Sequence, residues 1–181
     1  MSQRRLPSRR FLRDAAGAVA VEFALLAPLL LIFYFGLAEL TQAMMAQRRL
    51  FHTTSLIGDM AAQNGQIDQA RVDAIYGIAE AVMKPFPASP LRLCLYSVVS
   101  DANGKDTVAW VAPKNSPVNC PAANTVRTDV PESVLPASSS VIISTTSYDY
   151  TPATSLSKAS FTFRRTYYLR PRRTETVEWP K

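Results

Sequence analysis

The chain predicts an α+β fold: a long N-terminal transmembrane helix that extends into a second, amphipathic helix, followed by a small antiparallel β-sheet. Two observations carry this. Between Ala15 and Ala38 lie 24 residues whose only charge is Glu22, and a helix of that length spans roughly 36 Å, enough to cross a bilayer. Beyond the proline-rich run Pro85-Phe86-Pro87-Ala88-Ser89-Pro90 the apolar period changes from helical to two, the signature of strands. At 181 residues the chain has material for one modest core outside the membrane.

The first helix continues past the apolar run, because Gly36, Leu40, Ala43, Leu50, Ile57 and Ala61 keep near-heptad spacing. It ends near residue 60, where Asn64-Gly65 breaks it. Ile67, Arg71, Ala74, Ile75, Ile78 and Val82 then form one face of the second helix, which stops before Pro85. Leu91, Leu93 and Leu95 alternate with Arg92, Cys94 and Tyr96, Asn103-Gly104 supplies a turn, and Thr107 to Val111 runs back as a hairpin. Residues 113 to 137, with Pro113, Pro117, Pro121, Pro131 and Pro136, read as a long loop. Two more strands follow, Val141 to Tyr150 and Ser160 to Leu169, the second placing Phe161, Phe163, Tyr167 and Leu169 on one face. No internal repeat is evident.

The formal charge of +6 is uneven. Arg4, Arg5, Arg9, Arg10 and Arg13 precede the apolar run, and Arg164, Arg165, Arg170, Arg172 and Arg173 lie near the C-terminus. Only Arg48 and Arg49 follow the run closely, which places the N-terminus in the cytoplasm and everything beyond about residue 40 outside. Cys94 and Cys120 then share an oxidising compartment, where a disulfide is allowed; two unpaired thiols are the alternative. A bridge closing the 25 residues between them contributes about 3 kcal/mol in the chain-entropy model.

Glu22 is the residue that needs a reason, since an acid in a membrane helix costs about 2 to 3 kcal/mol on insertion scales. A cut between Gly17 and Ala18 supplies one. It creates an α-amino group with a reference pKa near 8, four residues from Glu22 on the same helical face. The pair neutralises itself within one chain or between neighbours, where it also fixes the register of helix packing. Such a cut removes five of the 20 basic side chains and one of the 14 acidic ones, leaving a product close to neutral.

These residues carry a resemblance. A basic leader, Gly17, four small or apolar residues, Glu22-Phe23, then Ala24-Leu25-Leu26-Ala27-Pro28-Leu29-Leu30-Leu31 and Phe35-Gly36-Leu37-Ala38-Glu39 resemble the TadE-like pseudopilins of the tight-adherence (Flp) branch of type IV pilus systems, over roughly residues 10 to 55. Tyr148-Asp149-Tyr150-Thr151-Pro152 and Arg170-Pro171-Arg172 are similar to endings in that family. Residues 65 to 140 show no match. The resemblance implies a pilin-like fold and a leader over 1–17 removed by a prepilin peptidase. Gly17 is then the last leader residue, Ala18 the first mature one, Glu22 the fifth and Phe23 its apolar neighbour. It also implies retention in the bacterial inner membrane and partners among other pilin or pseudopilin subunits and inner-membrane assembly components. The resulting division is 1–17 leader, 18–40 transmembrane helix, 41–84 helical stalk and amphipathic helix, 91–170 periplasmic sheet domain, and 171–181 basic and polar tail.

Other readings use the same residues. An uncleaved single-pass protein binding another envelope component needs no role for Gly17. A secretory signal cut near Thr41-Gln42-Ala43 releases a soluble protein, although the apolar core is long for one and contains Pro28. Ser8-Arg9-Arg10-Phe11-Leu12-Arg13 is a poor twin-arginine match because no spacer separates the arginines from Phe11-Leu12. Pro28 reads as a simple kink. The C-terminal arginines beside Tyr167 and Tyr168 have nucleic-acid or headgroup chemistry, but strand alternation already puts most of them on a solvated face, so no nucleic-acid partner is expected. His52 is alone, no His/Cys/Asp/Glu cluster has metal-ligand spacing, and there is no serine elbow, phosphate-cradling glycine loop or pair of catalytic carboxylates. The expectation is a non-enzymatic protein without cofactor or metal.

Overall fold

A computed structural model describes residues 15–152 and 160–180; the five N-terminal arginines and most of the expected leader lie outside them. The elements are α1 (Ala15–Ala62), α2 (Gln69–Met83), β1 (Leu91–Ser100), β2 (Asp106–Lys114), β3 (Val126–Arg127), β4 (Ser140–Tyr150) and β5 (Phe161–Leu169). The chain divides into two compact units, Met1–Gln42 and Ala43–Lys181. The second is built on one antiparallel sheet of order β3-β2-β1-β4-β5.

Within that second unit α1 buries Leu50, Ile57 and Ala61 of the expected stripe, with Ala43 partly buried, and adds Ala46, which that stripe did not include. It ends beside Asn64, whose side-chain amide donates to the Met60 carbonyl at 2.6 Å and so occupies a carbonyl freed at the helix end. Asp68 then caps α2 by accepting from the Arg71 amide at 2.8 Å. The buried face of α2 differs from the expected one: Val72, Ile75, Tyr76, Ala79 and Met83 point inward, while Ile78 is 40% exposed. Two apolar stripes share Ile75, and the one containing Tyr76 and Met83 buries the larger side chains. The Tyr76 hydroxyl also donates to the Ala112 carbonyl, so its polar end is satisfied inside. Burial pushes the Tyr76 hydroxyl pKa up.

Leu91, Leu93 and Leu95 of β1 face α1 and α2 in the larger core. Cys94 and Tyr96, which alternate with these leucines, are buried as well, with Val98, Val108, Val130, Leu135, Val141 and Ile143 in a second core. The expected long loop is thus a covering layer. It supplies Val130 and Leu135, contributes β3 to the sheet edge, and is bonded to β1 through Cys94 and Cys120, whose Cα atoms are 5.8 Å apart. The second strand of the hairpin also outruns its expected end at Val111: Pro113 lies in β2 opposite Cys94. There β2 borders the open side of the sheet, since β3 pairs only with Asp106 and Thr107, and proline is tolerated on an edge. The hairpin turn is organised by Asp101, whose carboxylate accepts from the amides of Asn103 and Lys105 at 2.8 and 2.9 Å. Gly104 there takes a φ of 76° at little steric cost.

Helix α1 approaches β4 through small polar residues. Ser144 Oγ donates to the Thr54 carbonyl at 2.8 Å, and the Thr54 and Thr146 hydroxyls lie 2.5 Å apart. A Cβ on Gly58 would stand 2.8 Å from Ser144 Oγ and collide with the Leu169 side chain, whereas one on Gly77 would meet nothing within 4 Å. Helix propensity favours alanine over glycine by about 1 kcal/mol, while overpacking costs about 1 to 3 kcal/mol. Gly58→Ala is therefore expected to lower the thermal midpoint, followed by circular dichroism, and Gly77→Ala to raise it. A rise in both would show that the helix does not rest this tightly on β4.

The C-terminal residues do not form the solvated tail that their charge implies. Arg172 donates its amide to the Ala62 carbonyl at 2.9 Å and its guanidinium pairs with Asp59. Val177 is buried, its carbonyl accepts from Trp110 Nε1 at 2.7 Å, and the Trp110 and Trp179 rings lie 5.5 Å apart. The backbone at Glu178 bonds to Gly65 and Ile67. The arginine side chains stay exposed, so the charge reading holds for the side chains and fails for the backbone. Long apolar helix, second helix and antiparallel sheet together make a pilin-like α+β fold.

Candidate membrane and assembly helix

The described part of the first unit is the N-terminal stretch of α1. The helix carries an 18-residue window of mean hydropathy 2.3, none of it buried within the protein. Phe23, Leu25, Leu29, Phe33 and Tyr34 are each more than 60% exposed. A row of large apolar side chains without a protein core beneath it is stable only against lipid or other helices.

Gly17 and Ala18 fall in the first turn of α1, and Glu22 follows one turn beyond Ala18. Residues four apart stand one above the other on the same face, a rise of roughly 6 Å. Glu22 is exposed, and among the described residues it has no hydrogen bond or ion pair. Phe23, 68% exposed, projects from the next position. The helix runs through Pro28 without interruption, as membrane helices do when the lost backbone bond is compensated locally.

Towards its outer end the helix becomes polar in steps. Tyr34 and Phe35 meet edge to face at 5.6 Å, placing a phenol close to the expected end of the span at residue 40, the level at which tyrosine is enriched. Glu39 follows, with one carboxylate oxygen shielded from solvent and unbonded among the described residues. The Thr41 hydroxyl donates to the Leu37 carbonyl at 2.8 Å, which lets it sit beside lipid without a water partner. Glu39 was visible in the sequence only as the close of an apolar motif, and nothing in its spacing distinguishes it from a first interfacial residue.

Cys94 and Cys120 belong to the second unit and are bonded to each other. They are a staple of its second core and share no chemistry with Gly17 or Glu22. His52 is exposed, and among the described residues no group of three His, Cys, Asp or Glu side chains converges as a metal site. A membrane-length helix followed by a disulfide-bonded domain is consistent with a membrane-anchored extracytoplasmic domain.

A family model described as TadE-like protein matches residues 17–55. The match begins at Gly17 and takes in Ala18, Glu22, Phe23, Pro28, Gly36 and Glu39, while the basic leader and the stretches Tyr148–Pro152 and Arg170–Arg172 lie outside it. No curated protein and no solved structure matches the chain.

Proposed function

We propose that this chain, TadE-like over residues 17–55, is a membrane-anchored pseudopilin required for assembly of a tight-adherence (Flp-type) pilus. The observation that carries the reading is the coincidence of the family match with an unburied apolar helix that bears its acid five residues beyond Gly17. A prepilin peptidase cuts between Gly17 and Ala18. The product keeps its apolar helix and so stays in the inner membrane, with its C-terminal domain in the periplasm, unlike a secretory product that loses its apolar segment.

The chemistry of maturation is a change of charge at one helix end. Before the cut, Glu22 sits in an apolar surrounding beyond a basic leader. Afterwards the Ala18 amine, with a reference pKa near 8, is protonated at neutral pH, and a neighbouring Glu22 is its nearest complement. In a low-dielectric medium an unpaired carboxylate is strongly disfavoured, so helices gain by packing in the register that joins one chain's amine to the next chain's carboxylate. The role is structural and assembly-related rather than enzymatic. Its partners are the peptidase, other pilin or pseudopilin subunits, inner-membrane assembly components and the bilayer itself.

Replacing Gly17 tests this. Gly17→Leu, co-expressed with the peptidase, is expected to accumulate at full length in the membrane and to leave pili unassembled, read by gel mobility and by shearing pili from cells. An uncleaved protein that binds another envelope component through its periplasmic domain predicts unchanged size and undiminished activity, and that result would reject the pseudopilin reading.

A further inference from the structure

We infer that the outer edge of β5 is a docking site for an extended strand of another protein that carries acidic side chains at adjacent positions. Strand β5 closes one side of the sheet and pairs with β4 alone, over nine residue pairs from Tyr150↔Phe161 to Ile142↔Leu169. Among the described residues no backbone bond from any other segment reaches it. The opposite side of the sheet is blunted: β3 has two residues, and Pro113 lies in the neighbouring part of β2. A long edge with free amides and carbonyls is a template for strand addition, and proteins usually shorten, cover or charge such edges.

The side chains select the occupant. Phe161, Tyr167 and Tyr168 are 49, 40 and 40% exposed, and the two tyrosines stand on opposite faces of the strand, so an added strand meets apolar surface on both sides. Arg164 and Arg165 lie at the centre, also one to each face. Arg165 lies over the Phe51 ring at 4.8 Å. The nearby carboxylate of Asp149 is already bonded to Arg92 at 2.6 Å and Thr162 at 2.8 Å. Antiparallel pairing of two copies centred on this strand sets Arg165 against Arg165, and a slip of two residues towards the N-terminal end, the smallest that keeps the ladder of hydrogen bonds, sets Arg164 against Arg164. Like charges directly opposite destabilise a sheet, and opposite charges stabilise it. The centre of the edge thus disfavours a second copy and favours a strand with two successive acids. Under the pilus reading the partner is another subunit on the same side of the membrane, but the surface itself does not depend on cleavage at Gly17.

The test uses the full chain in detergent micelles and hydrogen exchange at the β5 amides. The probes are two nine-residue peptides of alternating valine and threonine, one with two adjacent central glutamates and one with two central lysines. The glutamate peptide is expected to slow exchange across β5 about fivefold more than the lysine peptide, the size two favourable cross-strand charge pairs provide. Arg164→Glu/Arg165→Glu is expected to reverse the preference, and Arg164→Gln/Arg165→Gln, which introduces no new charge, to abolish it. Equal protection by both peptides, protection by neither, or β5 protection that rises with the chain's own concentration would overturn the proposal. The mature N-terminus is measured separately, so either conclusion can fail alone.

Discussion

Glu22→Leu is expected to insert into the membrane and mature normally, yet to leave cells without assembled pili. Leucine at this position is favoured over an acid by about 3 kcal/mol on insertion scales, so the variant is at least as firmly held in the bilayer. The cut between Gly17 and Ala18 is retained, because neither residue changes. What disappears is the carboxylate that would receive a neighbour's amine. Leaving one charge of a buried pair alone costs about 3 to 5 kcal/mol, enough to reduce packing in the proposed register more than a hundredfold. The loss is read as an empty sheared-pilus fraction from cells whose membranes hold the matured variant at the wild-type level. Normal pilus yield from the variant would remove Glu22 from any part in register and leave its place in the helix unexplained.

The largest effect expected in the second unit comes from the double variant Cys94→Ser/Cys120→Ser. The bond holds the 113–137 segment against β1, and that segment supplies Val130 and Leu135, which close the second core over Tyr96, Val98 and Ile143. Chain entropy alone assigns the crosslink about 3 kcal/mol. For a unit of this size that corresponds to a fall of about 10 °C in the thermal midpoint. Loss of the bond also releases a cover from apolar residues on β1 and β4, so dye binding to exposed apolar surface is expected to rise before the main transition. A midpoint unchanged on removing both cysteines would mean that the covering segment is held by its packing alone. Non-reducing gel mobility reports the bond in the wild-type chain.

The elements that were legible in the sequence are those whose cause is local. The apolar run of α1 announces itself because lipid, unlike a folded core, requires every residue of a span to be compatible in its own right. Asn64-Gly65, Pro85 and Asn103-Gly104 mark boundaries through their own backbone preferences, and the helices and the hairpin turn end beside them. What stayed hidden depends on distant partners. The buried face of α2 is set by the carbonyl of Ala112, which receives the Tyr76 hydroxyl. The second face of β1 is dry because a proline-rich segment folds across it, and no period within β1 encodes that cover. Gly58 reads as an ordinary helical glycine until β4 supplies Ser144. The docked C-terminus turns on Val177 and Trp179 finding Trp110, while the surrounding arginines advertise solvent. At the candidate site, the placement of Gly17 to Phe23 on one helix was legible because the apolar run that continues from it is itself local, while the chemistry proposed for those residues rests on sequence distance along that helix.

The most direct measurement of the central claim is the intact mass and N-terminal sequence of the protein recovered from membranes, with and without a co-expressed prepilin peptidase. A mature chain that begins at Ala18 and remains membrane-bound is the expected product, with the full-length form accumulating when the peptidase is absent. A membrane protein that begins at Met1 or Ser2 in both cases, or a soluble product cut near Ala43, would contradict it.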